Sequence, residues 1–349
     1  MKPSDRPHLS VGALSHPGEQ REHNEDRHSV TAYQLERGGQ PALVAVVSDG
    51  IGGHQAGEVA AEITVDRVVE RLAGSSGQDP LASLRAAVSD AARAVMEAAG
   101  DNEARQGMGS TLAAVWVIGN RLYMTNVGDS RIYLLRGEEL RQLSNDHTWV
   151  QEALDHAIIS AEEAEDHPHQ HVLRRHIGGE QPPEADMRIR WSSDPDDHGS
   201  TSHQGLTLEP HDKLLLCSDG LTDLVEPPDL SQLLGSAEPS QAAEALVNLA
   251  RERGGHDNIT VVVLEVPPGG AARSKRRRLG TVGLLLAGLL GAVLAISLAW
   301  RLQLWPFQAG DLSGAASSDP VPSATAPPLQ DPDGILPPGA TGSSATATP

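Results

Sequence analysis

Two kinds of hydrophobic pattern alternate along the first 268 residues. Short, largely apolar runs rich in β-branched side chains occupy 42–47, 122–127, 214–217 and 259–266, the signature of buried strands. Further strands are predicted at 9–15, 27–35, 187–191 and 206–217. A meander over 111–143 turns at Gly119-Asn120 and Gly137-Glu138. Between these runs the period lengthens to that of a helix. The segment 57–72 repeats Val59, Ile63 and Leu72 on one face, and 81–98 repeats Leu84, Val88 and Val95. A third helix is expected over 240–253, capped by Ser240 and stopped by Gly254. A His-rich insertion at 147–179 reads as helical, and the polar stretch from Ser192 to Gly205 as a surface loop. Paired helices between groups of hairpins do not build regular βαβ units. They predict an α+β fold in which two antiparallel sheets lie between helical layers, an αββα sandwich.

After residue 268 the pattern changes. Pro267-Pro268-Gly269-Gly270 closes the last strand, and Arg273, Lys275, Arg276, Arg277 and Arg278 form a basic linker over 269–278. Residues 279–300 then carry no charge over 22 positions, enough for a helix to cross a bilayer. Only Arg301 flanks the far end, so the positive-inside rule places 1–278 in the cytoplasm. Gly283, Ala287, Gly291, Ala295 and Ala299 recur every four residues, a stripe that permits helix pairing and a homodimer. The tail, 301–349, is rich in Pro, Ala, Ser and Thr and reads as disordered and extracytoplasmic. The expected location is the cell membrane, through a single pass.

Composition narrows the function classes. The first 270 residues hold 21 basic against 43 acidic side chains, a balance that repels phosphate backbones. The whole chain has only one Phe and three Tyr, which leaves few stacking platforms for bases, so nucleic acid is an unfit partner. Cys217 is the only cysteine and sits in an apolar run, so no disulfide forms within the chain.

Candidate chemistry lies at the strand ends. Asp49 follows 42–47, Asp129 follows 122–127, Asp219 follows 214–217, and Asp257 precedes 259–266. One such aspartate is ordinarily a turn residue. If the four strands share a core, however, their ends gather carboxylates that cannot all ionise without a cation. Oxygen donors without convergent cysteine point to Mg²⁺ or Mn²⁺.

Read with their neighbours, these positions resemble the metal-dependent Ser/Thr protein phosphatases of the PPM (type 2C) family, in its bacterial, membrane-anchored form. The matching residues, in family order, are Gly18, Arg21, Asn24, Glu25 and Asp26; Ser48 to His54; Gly57 and Glu58; Gly109 to Thr111; Gly128 to Arg131; Asp146 to Val150; Cys217 to Leu221; and Gly255 to Val261. The resemblance spans nearly all of 8–266 and implies two or three Mn²⁺ or Mg²⁺ ions. It implies that Asp49 bridges two of them with the Gly50 carbonyl on one, and that Asp219 and Asp257 ligate the second. Asp129 matches the position of a third, weaker ion. Glu25 and Asp26 would hold waters in the outer shell, with Asp26, Asp49 and Arg21 catalytic and Arg21 on the substrate phosphate.

The chain departs from the animal pattern at Ile51, where a histidine proposed as general acid follows the Asp-Gly pair. His54, three positions on, is the remaining candidate, with a metal-bound water as the alternative. Histidines 167, 169 and 171 alternate as a zinc chelate would, but the resemblance makes 145–180 the family's flap beside the site. The implied partners are phosphorylated proteins, membrane Ser/Thr kinases and their substrates among them. A non-catalytic phosphoprotein scaffold is the rival reading, against which the full ligand set argues. A regulatory phosphatase acting on anti-sigma-factor antagonists would share the same chemistry.

Overall fold

A computed structural model of the 349-residue chain describes residues 1–52, 55–165, 167–191 and 199–269. The thirteen strands among them are β1 (Lys2–Pro3), β2 (Ser10–His16), β3 (Arg27–Gln34), β4 (Pro41–Ser48), β5 (Gly50–Ile51), β6 (Gly109–Ser110), β7 (Leu112–Ile118), β8 (Arg121–Val127), β9 (Arg131–Arg136), β10 (Glu139–Gln142), β11 (Leu206–Thr207), β12 (Lys213–Cys217) and β13 (Ile259–Glu265). The helices are α1 (Gln55–Ala73), α2 (Pro80–Gly100), α3 (Trp149–Asp155), α4 (Ala161–Glu165), α5 (Asp219–Thr222), α6 (Pro227–Ser236) and α7 (Pro239–Glu252).

Two antiparallel sheets form the centre. One runs β1-β3-β4-β7-β8-β11 and the other β10-β9-β12-β13-β2. Strand periodicity explains why their central members are apolar throughout. On β4, Ala42, Val44 and Val46 enter the core shared with α1 and α2, while Leu43, Ala45 and Val47 enter the core between the sheets. On β13, Ile259, Val261 and Val263 face α6 and α7, while Val262 and Leu264 meet the first sheet. With both faces buried, no polar alternation survives. Three apolar layers thus separate four structural ones, as the αββα reading requires.

Helix α1 buries Ala56, Ala60, Thr64, Val68 and Leu72 at four-residue spacing. Its expected markers Val59 and Ile63 sit at the edge of that contact. Helix α2 opens on Asp79, whose carboxylate accepts from the Ala82 amide at 3.0 Å, with Pro80 next.

Four expectations are corrected. Helix α7 begins at Pro239 rather than on a Ser240 cap, and Glu238 in the cap position makes no side-chain cap bond; proline's fixed φ starts the helix instead. The stretch 206–217 is not one strand. Pro210 removes a donor and His211 takes φ +70°, so Leu206–Thr207 pairs with β8 and Lys213–Cys217 joins the other sheet. Among the described residues, 187–191 make only an isolated bridge, Ile189 with Ser200, downstream of Pro182 and Pro183. Among its described residues, the 147–179 insertion is helical only over α3 and α4. Among the described residues no helix is long and apolar enough to cross a membrane; the span expected at 279–300, its pairing stripe and the 301–349 tail lie outside the described residues.

Candidate metal centre

The strand order brings the candidate aspartates to one end of the sandwich. β4 ends at Ser48, β8 at Val127 and β12 at Cys217, while β13 starts at Ile259. Antiparallel pairing of β12 with β13 sets Cys217 opposite Val261, so Asp219 and Asp257 leave their strands side by side. Arg21, Glu25, Asp49, Gly50, Asp219 and Asp257 all line one cavity of about 450 Å³, together with Asp129. Asp26 lies beneath, 2% exposed.

A hydrogen-bonded frame holds these side chains. The Asp49 amide donates to Thr111 Oγ1 at 2.9 Å, and the Thr111 amide donates to the Asp49 carbonyl at 2.8 Å. The Thr111 and Ser130 hydroxyls meet at 2.6 Å. Asn258 is the main tie between distant segments: its Oδ1 accepts from the Glu25 amide at 2.7 Å, and its Nδ2 donates to the Pro17 and His23 carbonyls, each at 2.9 Å. Ser218 donates to Asp26 Oδ2 at 2.7 Å and accepts from the Thr260 amide at 3.0 Å. Arg27 pairs with Glu58 on α1. Close backbone approach completes the frame. A Cβ on Gly50 would stand 2.3 Å from the Gly57 carbonyl oxygen, and one on Gly57 would stand 2.0 Å from Glu25 Oε2.

Electrostatics follow from the crowding. Burial raises the Asp49 carboxyl well above the ordinary range, and the carboxylates of Asp26, Asp219 and Asp129 raise it further. Asp219 is itself raised, chiefly by burial, with the Asp257 carboxylate adding to the shift. Burial, then the Asp219 and Asp146 carboxylates, raise Asp129. Burial pushes Asp26 up to about 7, against the hydrogen bonds from Thr260 and Ser218. Two like charges 4 Å apart at an effective dielectric of 20 repel by about 4 kcal/mol, so protons or cations must neutralise such a set.

The donor set fits divalent cations. The Asp26 and Asp219 Oδ1 atoms are buried with no hydrogen-bond partner. Among the described residues neither Asp49 nor Asp219 has an arginine or lysine ion pair; Arg21 bonds Asp257 at 2.8 Å, and Arg131, paired with Asp146, bears on Asp129. The carboxylate and carbonyl oxygens of this set suit Mn²⁺ or Mg²⁺.

Every expected site residue but one is therefore at this cavity or directly beneath it. His54 lies outside the described residues, and Ile51 lines the cavity where the animal pattern has a histidine. Sequence reading quoted Asn258 and His171 without giving either its place here, and did not name Asp223. Asn258 follows a candidate ligand and has the side chain to bridge two backbones. Asp223 carries no motif and projects from the end of α5. The third, His171, lines the cavity from the flap, whereas His167 stacks on Trp149 with ring centroids 4.6 Å apart and His169 meets Trp149 edge-on at 5.3 Å. The alternating histidines are thus not used as one chelate.

Comparison with known proteins agrees with this geometry. The family profile described as protein phosphatase 2C matches residues 18–251. The chain is 37% identical over 226 residues to the serine/threonine protein phosphatase PstP of Mycobacterium tuberculosis, a match covering 64% of this chain and 40% of that protein. It is 34% identical over 253 residues to the serine/threonine phosphatase stp of Listeria monocytogenes, covering 71% of this chain and 92% of the relative. The crystal structure of the PstP catalytic domain in complex with two manganese ions superposes with a TM-score of 0.60 at 34% identity, over 74% of this chain and 97% of that one.

Proposed function

This chain belongs to the protein phosphatase 2C family, and from that premise we propose that it hydrolyses phosphoserine and phosphothreonine in proteins with Mn²⁺ or Mg²⁺. The observation that carries this reading is the convergence of Asp49, Asp219 and Asp257 on one cavity with Arg21 at its rim. Asp49 with the Gly50 carbonyl, and Asp219 with Asp257, would hold two ions, and Asp129 a third. Bound there, the cations supply the charge that makes water nucleophilic near neutral pH and steadies an in-line displacement.

The protein's own groups do the remaining work. Arg21 is exposed and, among the described residues, its side chain pairs only with Asp257, so its guanidinium can turn to grip two phosphoryl oxygens, which a lysine would do less well. Glu25 and Asp26 accept hydrogen bonds from waters and fix their positions; Asp26 has one oxygen on Ser218 and the other unpaired. Thr111 and Asn258 hold the backbones that carry Asp49 and Glu25.

Place and partners extend the proposal. The basic linker and the uncharged 279–300 segment support a single-pass anchor, with catalysis on the cytoplasmic side and 279–300 able to pair with a second copy. Phosphorylated membrane Ser/Thr kinases and their substrates are then the natural targets. Two relatives carry the names serine/threonine protein phosphatase and serine/threonine phosphatase, which supports the reaction and leaves the targets to experiment. The direct test is phosphate release from a phosphothreonine peptide by the full chain, with and without Mn²⁺. Asp219→Asn should stay folded and lose at least 100-fold in turnover, as loss of a transition-state charge contact does. Equal release by wild type and variant would exclude this site.

A further inference from the structure

The turn that carries Asp129 is held by a histidine that lines none of the catalytic cavity. Gly128, directly before Asp129, is buried and takes φ +99°, a conformation in which glycine keeps more freedom than any other residue. Thr111 closes in on one side: a Cβ on Gly128 would stand 2.7 Å from Thr111 Cγ2. His147, 6% exposed, takes up the polar groups. The Gly128 amide donates to His147 Nδ1 at 3.1 Å, and the His147 amide donates to the Gly128 carbonyl at 3.0 Å. Both hydrogen-bonding groups of the glycine therefore end on one residue.

These contacts assign the tautomer of the ring. An N–H aimed at Nδ1 requires a lone pair there, which leaves the ring proton on Nε2. Nε2 lies 3.1 Å from Asp186 Oδ2 and donates to it. Asp186 is buried and stays a carboxylate: burial opposes its charge, but hydrogen bonds from His147 and Arg188 hold its carboxyl well below the ordinary range. Its Oδ1 accepts from the Arg188 amide at 2.8 Å and from Arg188 Nε at 3.0 Å. The backbone of Asp186 is pinned to the strand that leads into Gly128. It exchanges hydrogen bonds with Asn126 at 3.1 and 3.3 Å, and its carbonyl accepts from Thr125 Oγ1 at 2.9 Å. The contacts close a loop from β8 through Gly128, His147 and Asp186 back to β8.

We propose that His147 is a positioning residue for Asp129: Asp186 fixes its tautomer, its Nδ1 holds the Gly128 amide, and that amide sets the direction in which Asp129 leaves β8. His147 acts through Gly128 and touches neither substrate nor ion. The proposal rests on the phosphatase reading only where it gives Asp129 a cation to hold. Without the acceptor, a buried N–H loses its partner, and the glycine relieves this by turning, which carries the Asp129 carboxylate with it.

Two substitutions separate the two ring nitrogens. His147→Asn sets an amide oxygen where Nδ1 stands and gives up the contact with Asp186, whose Arg188 bonds remain. His147→Gln reaches toward Asp186 and gives up the acceptor at Nδ1. The full chain is used throughout. Proton–nitrogen correlation of the imidazoles in the wild type, with His147 identified by its loss in the variants, should place the lone pair on Nδ1. Exchange of the Gly128 amide in metal-free protein should be about tenfold faster in His147→Gln or more, and close to wild type in His147→Asn. Calorimetric Mn²⁺ uptake should fall in His147→Gln as it does in Asp129→Asn, and be retained in His147→Asn.

A lone pair on Nε2 in the wild type overturns the proposal and needs no variant to fold. Protection of Gly128 that His147→Gln keeps and His147→Asn loses also overturns it, since the ring would then serve only to pack on Asp186. Full Mn²⁺ uptake by His147→Gln while Asp129→Asn loses an ion overturns it as well. If Asp129→Asn itself retains full uptake, the third ion of the proposed function falls, and exchange at Gly128 still decides what holds the turn.

Discussion

Asp26 is a residue at which stability and function pull against each other. It is buried, has one unpaired oxygen, and titrates near 7 because burial and the Asp219 and Asp257 carboxylates oppose its charge. A free aspartate ionises near 3.8. Its proton therefore favours the folded state at low pH, and that contribution is lost as pH rises through about 7. Asp49, Asp129 and Asp219 are shifted in the same direction. Metal-free protein should accordingly melt at progressively lower temperature as pH rises from about 5 to about 8, and excess Mn²⁺ should remove most of the slope. Asp26→Asn, neutral throughout, should flatten the metal-free profile. Scanning calorimetry across that range decides it, and a variant as pH-sensitive as wild type would contradict this role for Asp26.

At the scale of elements, the site depends on segments far apart in sequence being pinned to one another. Asn258 does most of this by joining the start of β13 to the Pro17, His23 and Glu25 backbones. Asn258→Ala leaves the Glu25 amide and two carbonyls without their partner. The expected cost is about 1–3 kcal/mol, measured by denaturant unfolding, with weaker Mn²⁺ binding. An unchanged midpoint and affinity would mean that the loop before β13 is held by other contacts. The strands that carry the aspartates were legible because both faces are buried, so runs such as 42–47 and 259–266 show continuous apolar character. Helices α1 and α2 were legible from their period, although alanine rather than Val59 and Ile63 makes the closest contact. The Pro210 break and the isolated pairing of 187–191 were not legible, because strand-like composition does not say which sheet, if either, offers an edge. The insertion at 147–179 misled for a related reason: its polar composition fits a helix or a turn, and packing on Trp149 selects turns for 167–171.

For the molecule as a whole, the candidate site was readable where side-chain type alone dictates chemistry and obscure where position does. Asp49, Asp129, Asp219 and Asp257 stand at strand ends; one such carboxylate is ordinarily a turn residue, but four gathered at one end of a core call for a cation. Asp223 carries no such mark and His171 only that of an alternating run; the fold alone brings the flap against the end of α5. The back of the chain supplies a separate expectation. If 279–300 anchors the protein, the full chain should sediment with membranes and resist extraction by high salt, while a chain ending at 278 should stay in the supernatant. Identical fractionation of the two would remove the anchor. The most direct measurement of the central claim is calorimetric titration of the full chain with Mn²⁺. The expected result is uptake of at least two ions per chain, sharply reduced in Asp49→Asn. No uptake, or uptake indifferent to that substitution, would contradict it.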